Sequence, residues 1–258
     1  MALPFGEFLV ANIFAFILVF VRFGTAFMIM PGIGDSFVSE RVRLLMALAI
    51  TFSLFPLLQP LMPSPIPGTF ALLMLVIVEF IIGVFFGTIA RIFMTALDTA
   101  GMVISIHSGL GNAQVFNPSL ATQGSLIGAF MMITGVVLLF ATNLHHLLIM
   151  GIFESYELFP VGGIPDSGSM ANMMTMAVNA SFTVGVKMAA PFIVITLLIY
   201  TGMGVLTRLM PQVQVFMIAL PLQILIALIT LSLVLFASFA YWLSQFEQGM
   251  FYFLSVGG

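Results

Sequence analysis

The 258-residue chain is 62% hydrophobic and only 6% charged, with six Lys and Arg against nine Asp and Glu, a formal net charge of −3 and a mean hydropathy of +1.25. A soluble domain covers its surface with charged side chains, about a quarter of all residues, so water is excluded as the main solvent and a lipid-embedded chain is implied. Six scattered cations exclude a nucleic-acid partner, which needs clustered Lys and Arg. With no cysteine, disulfides, thiolate metal sites and cysteine nucleophiles are excluded as well.

Only helices and closed barrels satisfy their own backbone in lipid, and a helix needs about 20 apolar residues to cross. Six runs approach or exceed that length, at roughly residues 8–30, 42–59, 69–90, 126–150, 187–206 and 213–243. They predict an all-α integral membrane protein forming one membrane domain over residues 1–258. The opening MALPFGEFLV has no basic stretch ahead of its apolar run and carries Glu7, so it reads as the start of the first helix rather than a cleaved signal. Pro31, Gly32 and Gly34 end the first run; Pro56, Pro60, Pro63, Pro65 and Pro67 make a proline-rich connector after the second. PVGGIPDSGS from Pro160 reads as a loop after the fourth, and Pro211 ends the fifth.

Arg41, Arg43, Arg91 and Arg208 fall in alternate connections, whereas the connection after the fourth run carries Glu154, Glu157 and Asp166. The bias of Lys and Arg toward the cytoplasm therefore predicts both termini outside.

The segment Gly83 to His107 continues helically past the third run while gaining polar groups. Thr88, Arg91, Thr95, Asp98 and Ser105 fall on one helical face, opposite Ile89, Phe93, Ala96, Leu97, Ala100, Val103 and Ile104. Two readings stand for such a stripe: a structural contact between Arg91 and Asp98 inside a bundle, or a face lining an aqueous path. Glu79 lies inside the third run without an evident partner and is the best candidate for a proton-relay carboxylate, against a plain interhelical hydrogen bond. Arg22 is expected to snorkel to the interface or to pair between subunits.

The residues suggest no catalytic constellation. Adjacent His145 and His146 point about 100° apart on a helix and do not share a metal; His107 has no supporting serine or carboxylate at triad spacing. A non-enzymatic protein without cofactor or metal is expected. Gly83 with Gly87, Gly124 with Gly128, and Ser181 with Gly185 are small residues at GxxxG spacing, predicting close helix approach.

One segment stands apart from all of this. GLGNAQVFNPSLATQGS, residues 109–125, carries no charge and lies between two hydrophobic runs. Surface loops of this length carry some charge; a loop buried in protein prefers amides and hydroxyls, which satisfy a backbone without the desolvation cost of ions.

The loops between the runs resemble those of the FliR family of the flagellar protein-export gate, whose relatives serve injectisomes. PGIGDSFVSERVRLLMALAI at 31–50, EFIIGVFFG at 79–87, DTAGMVISIHSGLGNAQVFNP at 98–118, NLHH at 143–146, AAPF at 189–192 and GVLTRLMPQVQVF at 204–216 follow in the family's order. Ser39 stands where proline is common and Gln214 where asparagine is frequent. The resemblance implies a fusion of a FliP-like part, about residues 1–180, with a FliQ-like helical hairpin, about 181–258, the helices forming tilted hairpins, much of the assembly above the membrane plane. It implies one copy in a hetero-oligomeric complex with several FliP-like and FliQ-like subunits, an FlhB-like subunit and unfolded export substrates, in the bacterial inner membrane at the flagellar basal body. It also makes the polar loop a channel plug, carried by Gly109, Leu110, Gly111, Asn112, Ala113, Gln114, Val115, Phe116, Asn117 and Pro118. Arg91, Asp98, Glu79 and Arg208 are then polar face or interface residues, with Arg208 anchoring the turn into the hairpin. The alternatives are an injectisome paralogue, a small-solute transporter coupled through Glu79 and Arg91, or a purely structural assembly subunit.

Overall fold

In the computed structural model, residues 5–63, 67–111, 125–163, 165–210 and 215–255 are described, and among them there is no strand. The helices are α1 (Phe5–Ile29), α2 (Glu40–Leu58, continued by a 3₁₀ turn Gln59–Leu61), α3 (Thr69–His107), α4 (Leu126–Ala141), α5 (Leu144–Leu158), α6 (Ser167–Leu209) and α7 (Val215–Ser255). Among the described residues five helices, α1, α2, α3, α6 and α7, are long and apolar enough to cross a membrane. The bent pair α4 and α5 makes a sixth crossing when counted as one span. This is the all-α integral membrane protein expected.

As expected, the helix of the third run continues to His107, making α3 39 residues, about 58 Å long at the helical rise. Other boundaries differ from the hydropathy reading, and α7 continues to Ser255, past the end of the sixth run. The fourth run is broken: Asn143 adopts a left-handed conformation with φ 60°, and α4 and α5 meet at a 76° bend. Asn tolerates that backbone better than branched residues do. The fifth run starts 20 residues early, because α6 begins at Ser167 rather than 187. Asp166 caps it, accepting from the Gly168 and Ser169 backbone N–H groups at 3.3 and 2.9 Å and from the Ser169 hydroxyl at 2.6 Å. Those hydrogen bonds, led by the Ser169 hydroxyl, hold its carboxyl below the usual carboxylate range. Pro191 and Pro221 sit inside α6 and α7 without ending them.

The chain forms two compact units. The first comprises residues 1–92, 139–177 and 248–258. Its α1 buries Ala15, Leu18, Val19, Arg22, Phe23, Ala26 and Phe27, followed just past its end by buried Met30, a stripe of alternating three- and one-residue steps that marks one helix face. Gly83 and Gly87 let α3 approach that face closely. A Cβ at Gly83 would collide with the Thr25 hydroxyl and the Arg22 carbonyl, and one at Gly87 would lie 2.8 Å from the Ala26 carbonyl. Phe85, Phe86 and Phe159 stack edge to face beside this crossing.

The second unit, residues 93–138 and 178–247, is built round the later half of α3. Gly101 meets the backbone of Gly128 on α4, and Gly135 meets Leu97 and Met94. A Cβ at Gly185 of α6 would lie 2.9 Å from the Ala96 carbonyl and 3.0 Å from Thr99. From α7, buried Trp242 donates its indole N–H to the Phe93 carbonyl at 3.2 Å and stacks on Phe246. The large ring fills the core while its one polar atom finds an acceptor.

Candidate functional site: the stems of the polar loop and the buried charges

The polar loop leaves the end of α3 through a tight, fully bonded stem. The Ser108 N–H donates to Ile104 at 2.7 Å, Gly109 to Ile106 at 3.3 Å and Gly111 to Ser105 at 2.9 Å, consuming carbonyls that a helix end leaves open. Gly109 has φ +77°, a left-handed helix terminator that a Cβ disfavours. The hydroxyl of buried Ser108 donates to Ser105 at 3.0 Å and accepts from Leu110 at 3.4 Å. On the return, the buried Ser125 hydroxyl donates to the Gly101 carbonyl and accepts from the Gly128 N–H, both at 3.0 Å, so it caps α4 and ties it to α3 at once. The two stems are thus fastened to Gly101 and Ser105, one turn apart on the same face of α3. Of the expected plug residues, Gly109, Leu110 and Gly111 lie in this stem; Asn112, Ala113, Gln114, Val115, Phe116, Asn117 and Pro118 lie outside the described residues.

The end of α3 is also held from two other helices. The His107 carbonyl accepts from the Thr196 hydroxyl of α6 at 2.8 Å and from the Gln223 side-chain amide of α7 at 2.7 Å. No periodicity or motif in the sequence pointed to either residue.

The charged residues are arranged differently from the expectation. Arg91 pairs with Asp35 at 2.9 Å and donates to the Ile29 carbonyl at 3.2 Å, not with Asp98. The two-turn separation along α3 is a long reach, whereas Asp35 is presented to Arg91 by the turn after α1. That turn is shaped by Gly32, at φ 83°, whose N–H donates to the Asp35 carboxylate at 2.7 Å. Asp98 instead lies against the α4 backbone, its Oδ1 2.8 Å from where a Cβ on Gly128 would stand, and has no ion-pair partner among the described residues. From the rest of the stripe, Thr88 bonds to its own helix, Thr95 lies 3.4 Å from the Ser181 hydroxyl, and Ser105 is buried.

Glu79 has the partner that the sequence left unassigned. Arg22 does not snorkel: both side chains are 0% exposed, joined by Nε to Oε2 at 2.5 Å and Nη2 to Oε1 at 2.9 Å. The guanidinium also donates to the Ser155 hydroxyl at 3.1 Å and the Phe159 carbonyl at 3.0 Å, and lies 3.8 Å from the centroid of the Tyr156 ring. A planar five-donor fork suits a carboxylate, a hydroxyl, a carbonyl and a ring face simultaneously. The cluster pins α1 to α3 and to the end of α5. A signal was present: two opposite charges in separate apolar runs demand compensation, and each is the other's nearest means of it.

Arg208 is exposed in the last turn of α6, where its charge complements the carbonyl end of the helix dipole. The His145 and His146 rings lie closer than the spacing implied, with centroids 4.1 Å apart just beyond the bend at Asn143, and Phe140 stacks on His145. Among the described residues no group of three metal-ligating side chains is assembled.

A family model described as bacterial export proteins, family 1, matches residues 13–249 of the chain. A flagellar biosynthetic protein FliR from Caulobacter vibrioides is 38% identical over 232 residues, 90% of this chain and 92% of that protein. One from Aquifex aeolicus is 32% identical over 203 residues, 79% of this chain and 78% of its own length. The Yop proteins translocation protein T of Yersinia pestis is 27% identical over 160 residues, 61% of either chain.

Proposed function

The chain belongs to family 1 of the bacterial export proteins, the FliR family, and from that premise we propose that it is a non-enzymatic subunit of the flagellar type III export gate. In this reading it is a multi-pass protein of the bacterial inner membrane, forms part of a protein-conducting channel at the flagellar basal body, and closes that channel with the loop 109–125. Its partners are FliP-like and FliQ-like subunits, an FlhB-like subunit and unfolded polypeptides in transit. The FliP-like part, about residues 1–180, and the FliQ-like part, about 181–258, share α6 rather than meeting at a loop. Relatedness favours the flagellar system over the injectisome, since the flagellar relative from Caulobacter vibrioides matches 90% of the chain and the Yersinia pestis protein 61%.

The observation that carries the plug is the pair of stems fastened one turn apart on α3 through Ser105 and Gly101. A charge-free segment on two fixed stems has the properties a channel closure requires. It is polar enough to satisfy its backbone in protein, neutral enough to be desolvated, and returned to its starting point so that its excursion leaves the helices undisturbed. Deleting residues 112–118 in cells that assemble the complex is expected to raise ion leak across the inner membrane. Unchanged leak with an intact complex would overturn the plug, and loss of the complex would assign the loop to assembly instead.

A further inference from the structure

Thr196 and Gln223 stand out by what their side chains do not do. Five other threonines of the chain, Thr25, Thr88, Thr175, Thr201 and Thr230, donate their hydroxyl proton to the carbonyl four residues back on their own helix, the default for a threonine in an apolar helix. Thr196 lies in the same kind of helix and sends its proton across to the His107 carbonyl of α3. Gln223, on a different helix, sends its amide to the same oxygen. Both are buried, 4% and 2% exposed, so neither exchanges that bond for water without cost.

The target is equally specific. His107 is the last residue of α3, and its carbonyl belongs to the final turn, which has no acceptor role left within the helix. The next residues, Ser108 to Gly111, form the outgoing loop stem. The Gln223 side chain lies directly over left-handed Gly109, its Cδ 3.5 Å from where a Cβ would stand. Thus the last fixed carbonyl of α3 has both lone pairs claimed, one by α6 and one by α7, at the point where the chain turns away.

We infer that Thr196 and Gln223 are positioning residues that form a two-helix clamp on the His107 carbonyl and set the orientation of the loop stem. Displacement of α6 or α7 then alters the stem directly, without any change along α3. The clamp concerns the stem alone; only its consequence for ion leak rests on the plug reading.

The test uses the full chain in its assembled complex. Thr196→Val and Gln223→Met keep side-chain size while removing the donors, and Thr196→Ser keeps the hydroxyl. Amide hydrogen exchange at Ser108 to Gly111 is expected to accelerate measurably in Thr196→Val, which leaves Gln223 still donating, and about tenfold in the double variant, since an unpaired buried carbonyl carries a desolvation penalty of that order. Thr196→Ser is expected to match the parent, and exchange at Phe93 to Leu97 of α3 to stay unchanged. Parent-like exchange at the stem in the double variant overturns the clamp; equal acceleration along the whole of α3 overturns it too, by showing general loosening. If Gln223→Met fails to assemble, Thr196→Val alone decides by the same measure. Faster stem exchange with unchanged ion leak establishes the clamp and counts against the plug.

Discussion

Two places in this chain take polar groups out of water among apolar helices, and they do so by opposite means. Around Arg22 and Glu79 the groups carry full charges, both wholly buried, and four different acceptor surfaces converge on one guanidinium. At the loop stems no formal charge is involved: serine hydroxyls, glycine amides and one glutamine meet backbone carbonyls. An ion pair desolvated this completely is stable only in one geometry, because separating the partners strands a charge in a medium that does not solvate it. A neutral hydrogen bond costs about 1–3 kcal/mol when left unmade. The first kind of contact is held to one geometry, whereas the second is exchanged at much lower cost.

The largest test of that contrast is to strand one charge. Arg22→Met or Glu79→Leu alone is expected to destabilise the protein by about 3–5 kcal/mol, seen as a lowered Tm and poor yield in detergent. The double variant Arg22→Met with Glu79→Leu should recover most of the loss, since two apolar side chains of similar bulk need no compensation. A double variant no better than the singles would mean that the cluster matters for some other reason than its charge balance.

Steric closeness around the same joint gives the next effect. Gly83→Leu places a side chain where the Arg22 carbonyl and Thr25 already stand, and should cost about 1–3 kcal/mol or more in overpacking. Gly202, on α6, has nothing within 4 Å of where its Cβ would be. Gly202→Ala should therefore leave the fold intact and gain up to about 1 kcal/mol of helix propensity. Equal losses at the two glycines, measured by thermal unfolding, would remove close approach as the reason for Gly83.

Arg91 and Asp35 form an intermediate case, an ion pair with 40% and 14% of the side chains exposed. Water screens such a pair, so breaking it should cost no more than about 1 kcal/mol. Arg91→Glu is expected to reduce export modestly, and Asp35→Arg in the same chain to restore part of it, whereas Asp98→Arg should restore none. Rescue by Asp98→Arg would return the pairing to α3 itself.

The smallest effect is expected at Asp166, whose carboxylate caps α6 in full contact with solvent. Its folded-state pKa lies below the unfolded one, so the cap contributes fully above the ordinary carboxylate range and is lost as pH falls through the lower folded value. Asp166→Ala should flatten only that acidic limb of a stability–pH profile, with no change near neutrality in its slope. A change in slope above pH 6 would point to another group.

Much of this could be read from the residues. The charge-poor apolar runs announced helices in lipid, and Gly83 and Gly87 announced a close crossing. Other features left a trace that hydropathy passed over. The 167–186 part of α6 is rich in Met, Ala, Asn and Thr, so it forms helix without looking apolar, and its start was signalled by Asp166 followed by Ser, Gly and Ser. The bend at Asn143 was visible only as a short polar interruption in an apolar run. For Thr196 and Gln223 there was no trace at all, because a single threonine or glutamine in a membrane helix is as compatible with self-bonding or packing as with reaching another helix.

Sequence alone determined the solvent, the helical class and the neutrality of the loop, because each follows from composition and local periodicity, and these are summed along the chain. Which charge met which was decided only by tertiary structure. Arg22 and Glu79 are 57 residues apart, Asp35 displaced Asp98 as the partner of Arg91, and the His107 carbonyl drew donors from residues 89 and 116 positions away. A hydrogen bond or ion pair is resolved at a few ångströms and depends on angle, so it is set by how helices cross; the order of residues along any one of them does not contain that crossing.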